Sequence, residues 1–124
     1  MISKTQGYVP VTGLNGVYLQ PNCWLGAATS DLTKVYGQGI TSIARNAAGK
    51  YTITFDEIGY QTPVVTFAVL DTATGNKWTV RVDDFDASAK TLIIYCVSTT
   101  TETDLPTTAK LVIDLMQCDS TVPQ

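Results

Sequence analysis

From residue 39 onward, apolar and polar residues alternate in short runs that predict β-strands. The runs are "GITSIAR", "KYTITF", "PVVTFAVL", "KWTVRVD", "KTLIIYCV" and "AKLVIDLMQ", with turn-forming segments such as "NAAG" and "DFDASA" between them. Short strands at this spacing are typical of an antiparallel sandwich or barrel. No stretch shows the apolar period of an amphipathic helix. We therefore expect an all-β fold, a single antiparallel β-sandwich of jelly-roll-like or immunoglobulin-like type.

The alternation also predicts which side chains form the core, because successive residues of a strand point to opposite faces of the sheet. Two runs, "VVTFAVL" and "LIIYCV", are apolar on both faces, which predicts central strands or strands covered by a partner. The predicted core residues are Tyr51, Ile53, Phe55, Phe67, Trp78, Val80, Ile94, Leu111 and Ile113.

The first 38 residues differ from the rest, since glycine and proline interrupt their apolar runs. Such breakers predict an extended N-terminal arm with short strands (residues 1–38) before a sandwich domain (residues 39–124). Apolar groups on an arm are costly to leave in water, so we expect them to contact a partner, with Trp24 near the centre. The predicted partner-binding residues are Tyr8, Val9, Val11, Tyr18, Leu19, Trp24 and Leu25.

Size and charge restrict the function further. A chain of 124 residues fits one domain. Its net charge is −3 and its Lys and Arg residues are scattered, whereas proteins that bind nucleic acid or anionic membranes cluster such residues. No apolar run reaches the ~18 residues of a membrane span. We therefore expect neither nucleic acid nor a membrane as partner.

The cysteines and the N-terminal residues bear on the compartment. Cys23, Cys96 and Cys118 are odd in number and lack metal-type spacing, which predicts free thiols. We expect Cys96 to be a small core residue. The segment "MISKTQGYVP" lacks the apolar core of a signal peptide. These features predict synthesis and folding in the cytoplasm.

Candidate chemistry is sparse. The chain has no histidine, the commonest acid–base residue. The carboxylate pairs Asp56–Glu57 and Asp83–Asp84 could serve a glycosidase, but their positions favour solvated turns. "VDDFDAS", with Asp86, lacks the glycine and terminal Glu of a calcium loop. "GQG" at residues 37–39 precedes a strand and not the helix that a phosphate site requires. We expect no enzyme activity, no cofactor and no metal.

Four segments together resemble a module of structural proteins from tailed bacteriophages: "GITSIARNAAGKYTITFDEIGY", "PVVTFAVLD", "KWTVRVDDFDA" and "KTLIIYCVSTTTETDLPTTAKLVIDLM". The module's pattern is a "V-x-R-x-A-A-G-x-Y-T-V-T-F" hairpin, a "P-V-V" strand and a final pair of strands around an "x-x-D-L/P" loop. The matching parts are residues 43–55, 63–70, 78–82 and 92–116. Such modules resemble head decoration proteins, head fibres and virion surface knobs.

The resemblance implies a non-enzymatic structural protein that decorates or cements the capsid surface, assembled in the host cytoplasm. The implied partner is the major capsid protein or another virion protein. A homo-oligomer is also implied, and a trimer would match the threefold positions of a capsid lattice. The family has no catalytic residues to carry over. The alternative is a receptor- or carbohydrate-binding module of a tail fibre or other virion appendage.

Overall fold

The computed structural model describes residues 9–10, 17–56, 63–73 and 77–118, and within them the chain forms strands and no helix. The predicted all-β fold is confirmed. No helix in these ranges is long and apolar enough to cross a membrane. The strands are β1 (Val9–Pro10), β2 (Val17–Leu25), β3 (Thr33–Gly37), β4 (Ile40–Ala47), β5 (Lys50–Phe55), β6 (Val64–Asp71), β7 (Trp78–Asp86), β8 (Thr91–Ser98), β9 (Thr101–Glu102) and β10 (Ala109–Cys118).

The strands form two antiparallel sheets that pack face to face as a sandwich. Sheet A has the order β1-β2-β10-β6, with β3 also beside β2. Sheet B has the order β4-β5-β8-β7, with β9 beside β8. At one side of the sandwich β6 contacts β7, and at the other β3 contacts β4. The two sheets therefore share one core between their facing sides.

The core agrees closely with the alternation of the sequence. Six of the predicted core residues are at most 2% exposed, and the other three, Phe67, Trp78 and Val80, are partly buried against the same cluster. Cys96 is fully buried, as predicted, and both it and Cys23 are free thiols. The side chain of Cys118 lies outside the described residues. The six fully enclosed residues are Tyr51, Ile53, Phe55, Ile94, Leu111 and Ile113.

The predicted division between an arm (residues 1–38) and a sandwich (residues 39–124) is wrong for residues 17–37. Strand β2 pairs with β10 along its whole nine-residue length, in the interior of sheet A. Pro21 lacks the N–H that a second neighbouring strand would require. It is tolerated because β1 pairs with Tyr18 and Leu19 while β3 pairs from Asn22 onward, so Pro21 faces the gap between them. Pro21 therefore lies where neither β1 nor β3 pairs with β2, and β2 continues through it without interruption.

The two runs that are apolar on both faces have different positions. Strand β8 lies inside sheet B, as predicted. Strand β6 is not central: it forms the edge of sheet A and pairs only with β10 among the described strands. Two of its apolar side chains, Val64 and Leu70, are 56% and 61% exposed. Strand β6 thus carries more apolar side chains than the described residues cover.

Candidate docking face

The strand registers place apolar side chains on the side of sheet A that points away from sheet B. On β10, Leu111, Ile113 and Leu115 are buried in the core, so the alternate residues Val112 and Met116 point outward. Four rows cross β2, β10 and β6 there: Leu19–Met116–Val64, Pro21–Asp114–Thr66, Cys23–Val112–Ala68 and Leu25–Lys110–Leu70. We call this surface the docking face; its apolar members are Leu19, Pro21, Leu25, Val64, Ala68, Leu70, Val112 and Met116, and Cys23, on the same side of β2, is buried.

The docking face remains open to solvent toward its β6 margin. Val64 and Leu70 there are more than half exposed. At the opposite edge of the sheet, Tyr36 of β3 lies beside Cys23 and is 53% exposed. The charged residues that β10 contributes are Lys110 and Asp114, one of each sign. Contiguous exposed apolar surface on a folded domain commonly marks a site of protein contact.

The outer side of sheet B has a different chemistry. Thr52 and Thr54 of β5 point outward, because Tyr51, Ile53 and Phe55 point into the core. Across the sheet, Lys50 Nζ lies 5.5 Å and Arg81 Cζ 5.0 Å from the centre of the Tyr95 ring. Arg81 Nη2 also lies 3.1 Å from Glu102 Oε1. Ile93 and Val97 of β8 also point outward here, between these polar groups. The outer side of sheet A is therefore the more apolar one, and the outer side of sheet B combines threonines and charges with these two apolar side chains.

The predicted role of Trp24 as a partner anchor is wrong. Its side chain is 3% exposed and belongs to the core between the sheets. The residue is enclosed because β2 is a regular strand, on which Trp24 shares the inner side with Gln20 and Asn22. Its indole N–H points toward Asn22 Oδ1, at an N···O distance of 3.4 Å.

The other predicted partner residues divide into three groups. Leu19 and Leu25 belong to the docking face, and both are partly exposed. Tyr8 and Val11 lie outside the described residues. For Val9 and Tyr18 only the backbone is described, in β1 and β2. The face brings Leu19 and Leu25 together with residues of β6, whose run predicts a central strand or one covered by a partner, and with residues of β10, for which no partner was predicted. The pattern that identifies them is the apolar outer position on those strands.

Two polar side chains are buried on the inner side of β2. Asn22 Nδ2 donates hydrogen bonds to the carbonyl oxygens of Gln20 (3.2 Å) and Gln38 (2.9 Å). The side-chain amide of Gln20 is fully buried and has no hydrogen-bond partner among the described residues. Gly39 packs against it, since a Cβ there would lie 2.7 Å from Gln20 Oε1. Asn22 thus fixes the β3–β4 turn, whereas no described residue compensates the buried amide of Gln20.

An ion pair joins the β4–β5 hairpin to the loop before β10. The Arg45 guanidinium donates to Asp104 through Nε (2.8 Å to Oδ1) and Nη2 (3.0 Å to Oδ2). The N–H of Gly49 also donates to Asp104 Oδ1, at 2.9 Å. The hydrogen bond from Arg45 holds the pKa of the Asp104 carboxyl below its usual value, against the opposing effect of burial. Arg45 and Asp104 therefore hold the β4–β5 hairpin against the loop before β10.

Burial raises two further pKa values near this ion pair. The Tyr51 hydroxyl accepts a hydrogen bond from the N–H of Leu105 at 2.9 Å. Burial raises the pKa of Tyr51 to about 12, although that hydrogen bond lowers it. Burial also raises the pKa of the Cys96 thiol to about 12. Neither group is poised to exchange a proton near neutral pH, so their surroundings favour a role in packing.

The carboxylates considered as catalytic or calcium-binding groups accept hydrogen bonds from nearby residues or are exposed to solvent. Asp56 accepts a hydrogen bond from the Thr41 hydroxyl. Asp86 accepts from two N–H groups of the turn that follows it. Asp83 and Asp84 are exposed on β7 beside a bulge, and not in a turn as predicted, while Glu57 lies outside the described residues. Within the described ranges, no group of three His, Cys, Asp or Glu side chains could hold a metal ion.

A surface cleft of about 460 Å³ lies beside Trp78, where β6 ends and β7 begins. Asp71 at its edge accepts hydrogen bonds from Trp78 Nε1 (2.9 Å) and Thr108 Oγ1 (2.8 Å). Lys110 also lines the cleft. Trp78 packs against the core, as predicted, and also lines this cleft. The cleft combines an aromatic ring with hydroxyl, carboxylate and ammonium groups.

No protein-family model, no curated protein and no solved structure matches this chain. The resemblance to virion proteins therefore stays a sequence-based prediction.

Proposed function

We propose that the chain is a non-enzymatic structural protein of a tailed-phage virion, which attaches to the capsid surface through the docking face. The observation that carries the proposal is the chemical difference between the two outer sides of the sandwich. The side of sheet A presents mainly apolar residues, interrupted by Lys110 and by Asp114 beside Thr66. The side of sheet B presents threonines and paired charges around Ile93 and Val97. A protein that coats a particle needs one side for attachment and another that remains in water.

The docking face has the composition expected for protein contact. Burying apolar surface contributes about 25 cal/mol per Å², and the face offers Val64 and Leu70 on β6 and Val112 and Met116 on the adjacent β10. Lys110 and Asp114 lie among them and can pair with charges on a partner. The partner that the sequence resemblance implies is the major capsid protein, on which many copies of one small domain can bind equivalent sites.

The composition of virus particles tests this function. Particles should be purified from cells infected with the virus that encodes the chain, and the chain quantified against the major capsid protein by mass spectrometry. A decoration protein is present at a fixed ratio of copies to capsid subunits, and it remains through density-gradient purification. A few copies per particle would indicate a tail or fibre component. Absence from the particles would refute the proposed function.

A second candidate function, glycan binding on a virion appendage, is favoured by the cleft beside Trp78. Aromatic rings that adjoin hydrogen-bonding groups are common features of small-molecule sites, and this cleft also holds Asp71, Thr108 and Lys110. A glycan array probed with the full chain tests it. Binding that is lost in Lys110→Ala and retained in Lys50→Ala would support this function. An array without binding would exclude the glycans displayed.

A further inference from the structure

Strand β6 leaves one side of sheet A unpaired. It pairs with β10 along residues 64–71 without a bulge, and no other described strand lies on its second side. The backbone N–H and C=O groups on that side can form hydrogen bonds with an additional strand, as at other exposed sheet edges. This geometry provides a backbone ladder for another extended chain.

The other long edge strands carry features that oppose such pairing, and β6 does not. Strand β7 has a bulge at Val82 and Asp84 and carries exposed Asp83. The pairings of β3 and β4 also contain register shifts, and β3 carries the exposed Lys34. Bulges and charges on edge strands are known devices against edge-to-edge association. Along Val64–Asp71 the one charged residue is the last.

The sequence of β6 is nearly symmetric about Phe67. Val64 and Leu70 are equally distant from Phe67, as are Val65 and Val69, and Thr66 and Ala68. An antiparallel pair of identical strands with Phe67 at its centre therefore brings like side chains opposite each other. A two-fold axis requires this kind of self-complementarity, because each contact occurs twice.

We propose that β6 pairs with β6 of a second copy of this chain, antiparallel and centred on Phe67, so that the two sheets A become one continuous sheet. Val64 of each copy then lies opposite Leu70 of the other, and these are among the most exposed large apolar residues described. The two Asp71 carboxylates lie at opposite ends of the paired strands, so no like charges meet. The pairing yields a dimer, in contrast to the trimer expected from the capsid lattice.

This inference goes beyond the proposed function and does not depend on it. Pairing through β6 leaves β2 and β10 uncovered, so the docking faces of the two copies would form one surface. The dimer is a property of the free protein in solution. The experiment therefore needs no virus particle, and its result is independent of whether the chain is found on a capsid.

Charge substitutions at the centre of β6 test the pairing by sedimentation velocity over a range of concentrations. Thr66 of one copy lies opposite Ala68 of the other, and both side chains are exposed. The double variant Thr66→Lys/Ala68→Lys places like charges opposite each other and should abolish the dimer. Thr66→Lys/Ala68→Glu places opposite charges there and should retain it. Thr52→Lys/Thr54→Lys on β5, inside sheet B, controls for added charge, and circular dichroism checks each fold.

We expect the wild type, the Lys/Glu variant and the β5 control to sediment as dimers, and the Lys/Lys variant as a folded monomer. A wild type that is monomeric at every concentration overturns the inference, whether β6 is bare or is covered by another segment of its own chain. A trimer, or a dimer that persists in the Lys/Lys variant, overturns it as well.

Discussion

At the scale of single residues, the polar groups inside the sandwich differ in how well they are compensated. Asn22 and Tyr51 each make hydrogen bonds to the backbone of a distant segment, so their burial also fixes a turn. Gln20 is equally buried, yet its amide has no partner among the described residues. A buried polar group without a hydrogen bond costs about 1–3 kcal/mol. Gln20 is therefore a site where substitution should stabilise the fold.

The first prediction is that Gln20→Met increases the free energy of unfolding by about 1 kcal/mol, because it removes an unsatisfied amide while conserving most of the volume. Urea denaturation of the two proteins measures the change. Asn22→Leu is the matched control on the same side of β2, and it should destabilise, since it removes two hydrogen bonds to backbone carbonyls. A destabilised Gln20→Met variant would mean that the amide has a partner.

The second prediction concerns alkaline pH. The pKa of Cys96 rises from 9.0 to about 12 and that of Tyr51 from 10.0 to about 12 on folding. The folded state therefore holds both protons more tightly than the unfolded state. The associated stability is fully present below pH 9 and should be lost as the pH rises through the folded pKa values near 12. Urea midpoints over this range test it.

The contribution of Cys96 can be separated with Cys96→Ala. This variant should be less stable at neutral pH because it loses buried volume, but its decline should begin nearer pH 10, where only Tyr51 remains of the pair. Identical slopes in both proteins between pH 9 and 10 would contradict the assigned cause.

At the scale of elements, local patterns of the sequence predicted the strands well where alternation was regular. Strands β4, β5, β7, β8 and β10 follow runs identified from the sequence, and the buried residues of β5, β8 and β10 are the alternate ones. Strand β2 is not predicted by the sequence pattern, because glycine and proline in residues 1–38 indicate interruptions of regular strands. The tolerance for Pro21 depends on where β1 ends and β3 begins along β2, and that is a three-dimensional property.

The same limit applied to contacts between distant segments. Arg45 and Asp104 are 59 positions apart, and no local pattern connects them. The edge position of β6 could not be predicted either, because an apolar strand inside a sheet and one that meets a partner have the same sequence pattern. The docking face depends on the strand registers, which align the outer positions of β2, β10 and β6.

The third prediction follows from the position of β2. Deleting residues 1–25 should unfold the protein, because it removes the strand that pairs with β10 and the buried side chain of Trp24. Trp24→Ala alone should cost about 3–5 kcal/mol, as expected for a buried aromatic residue. Deleting residues 1–8 removes none of the described strands and serves as the control. A folded domain after deletion of residues 1–25, judged by circular dichroism and thermal unfolding, would show that β2 is dispensable.

At the level of the whole molecule, we propose that the two outer sides of the sandwich have separate roles. Sheet A presents mainly apolar side chains and an edge that no other described strand pairs with. Sheet B presents threonines and paired charges around Ile93, Tyr95 and Val97. Two matched single substitutions place a lysine on one outer side each: Val112→Lys on β10 and Thr52→Lys on β5. Both positions are partly buried, lie on interior strands and point outward.

The most direct measurement is the occupancy of virus particles that were assembled without this protein and then mixed with purified wild-type or variant chains. Occupancy is measured after gradient separation, as bound chain per major capsid subunit. The wild type and Thr52→Lys should bind to the same level, whereas Val112→Lys, although folded, should not bind because a charge lies in the apolar contact. Full occupancy by Val112→Lys, or loss of binding by Thr52→Lys, would contradict attachment through sheet A.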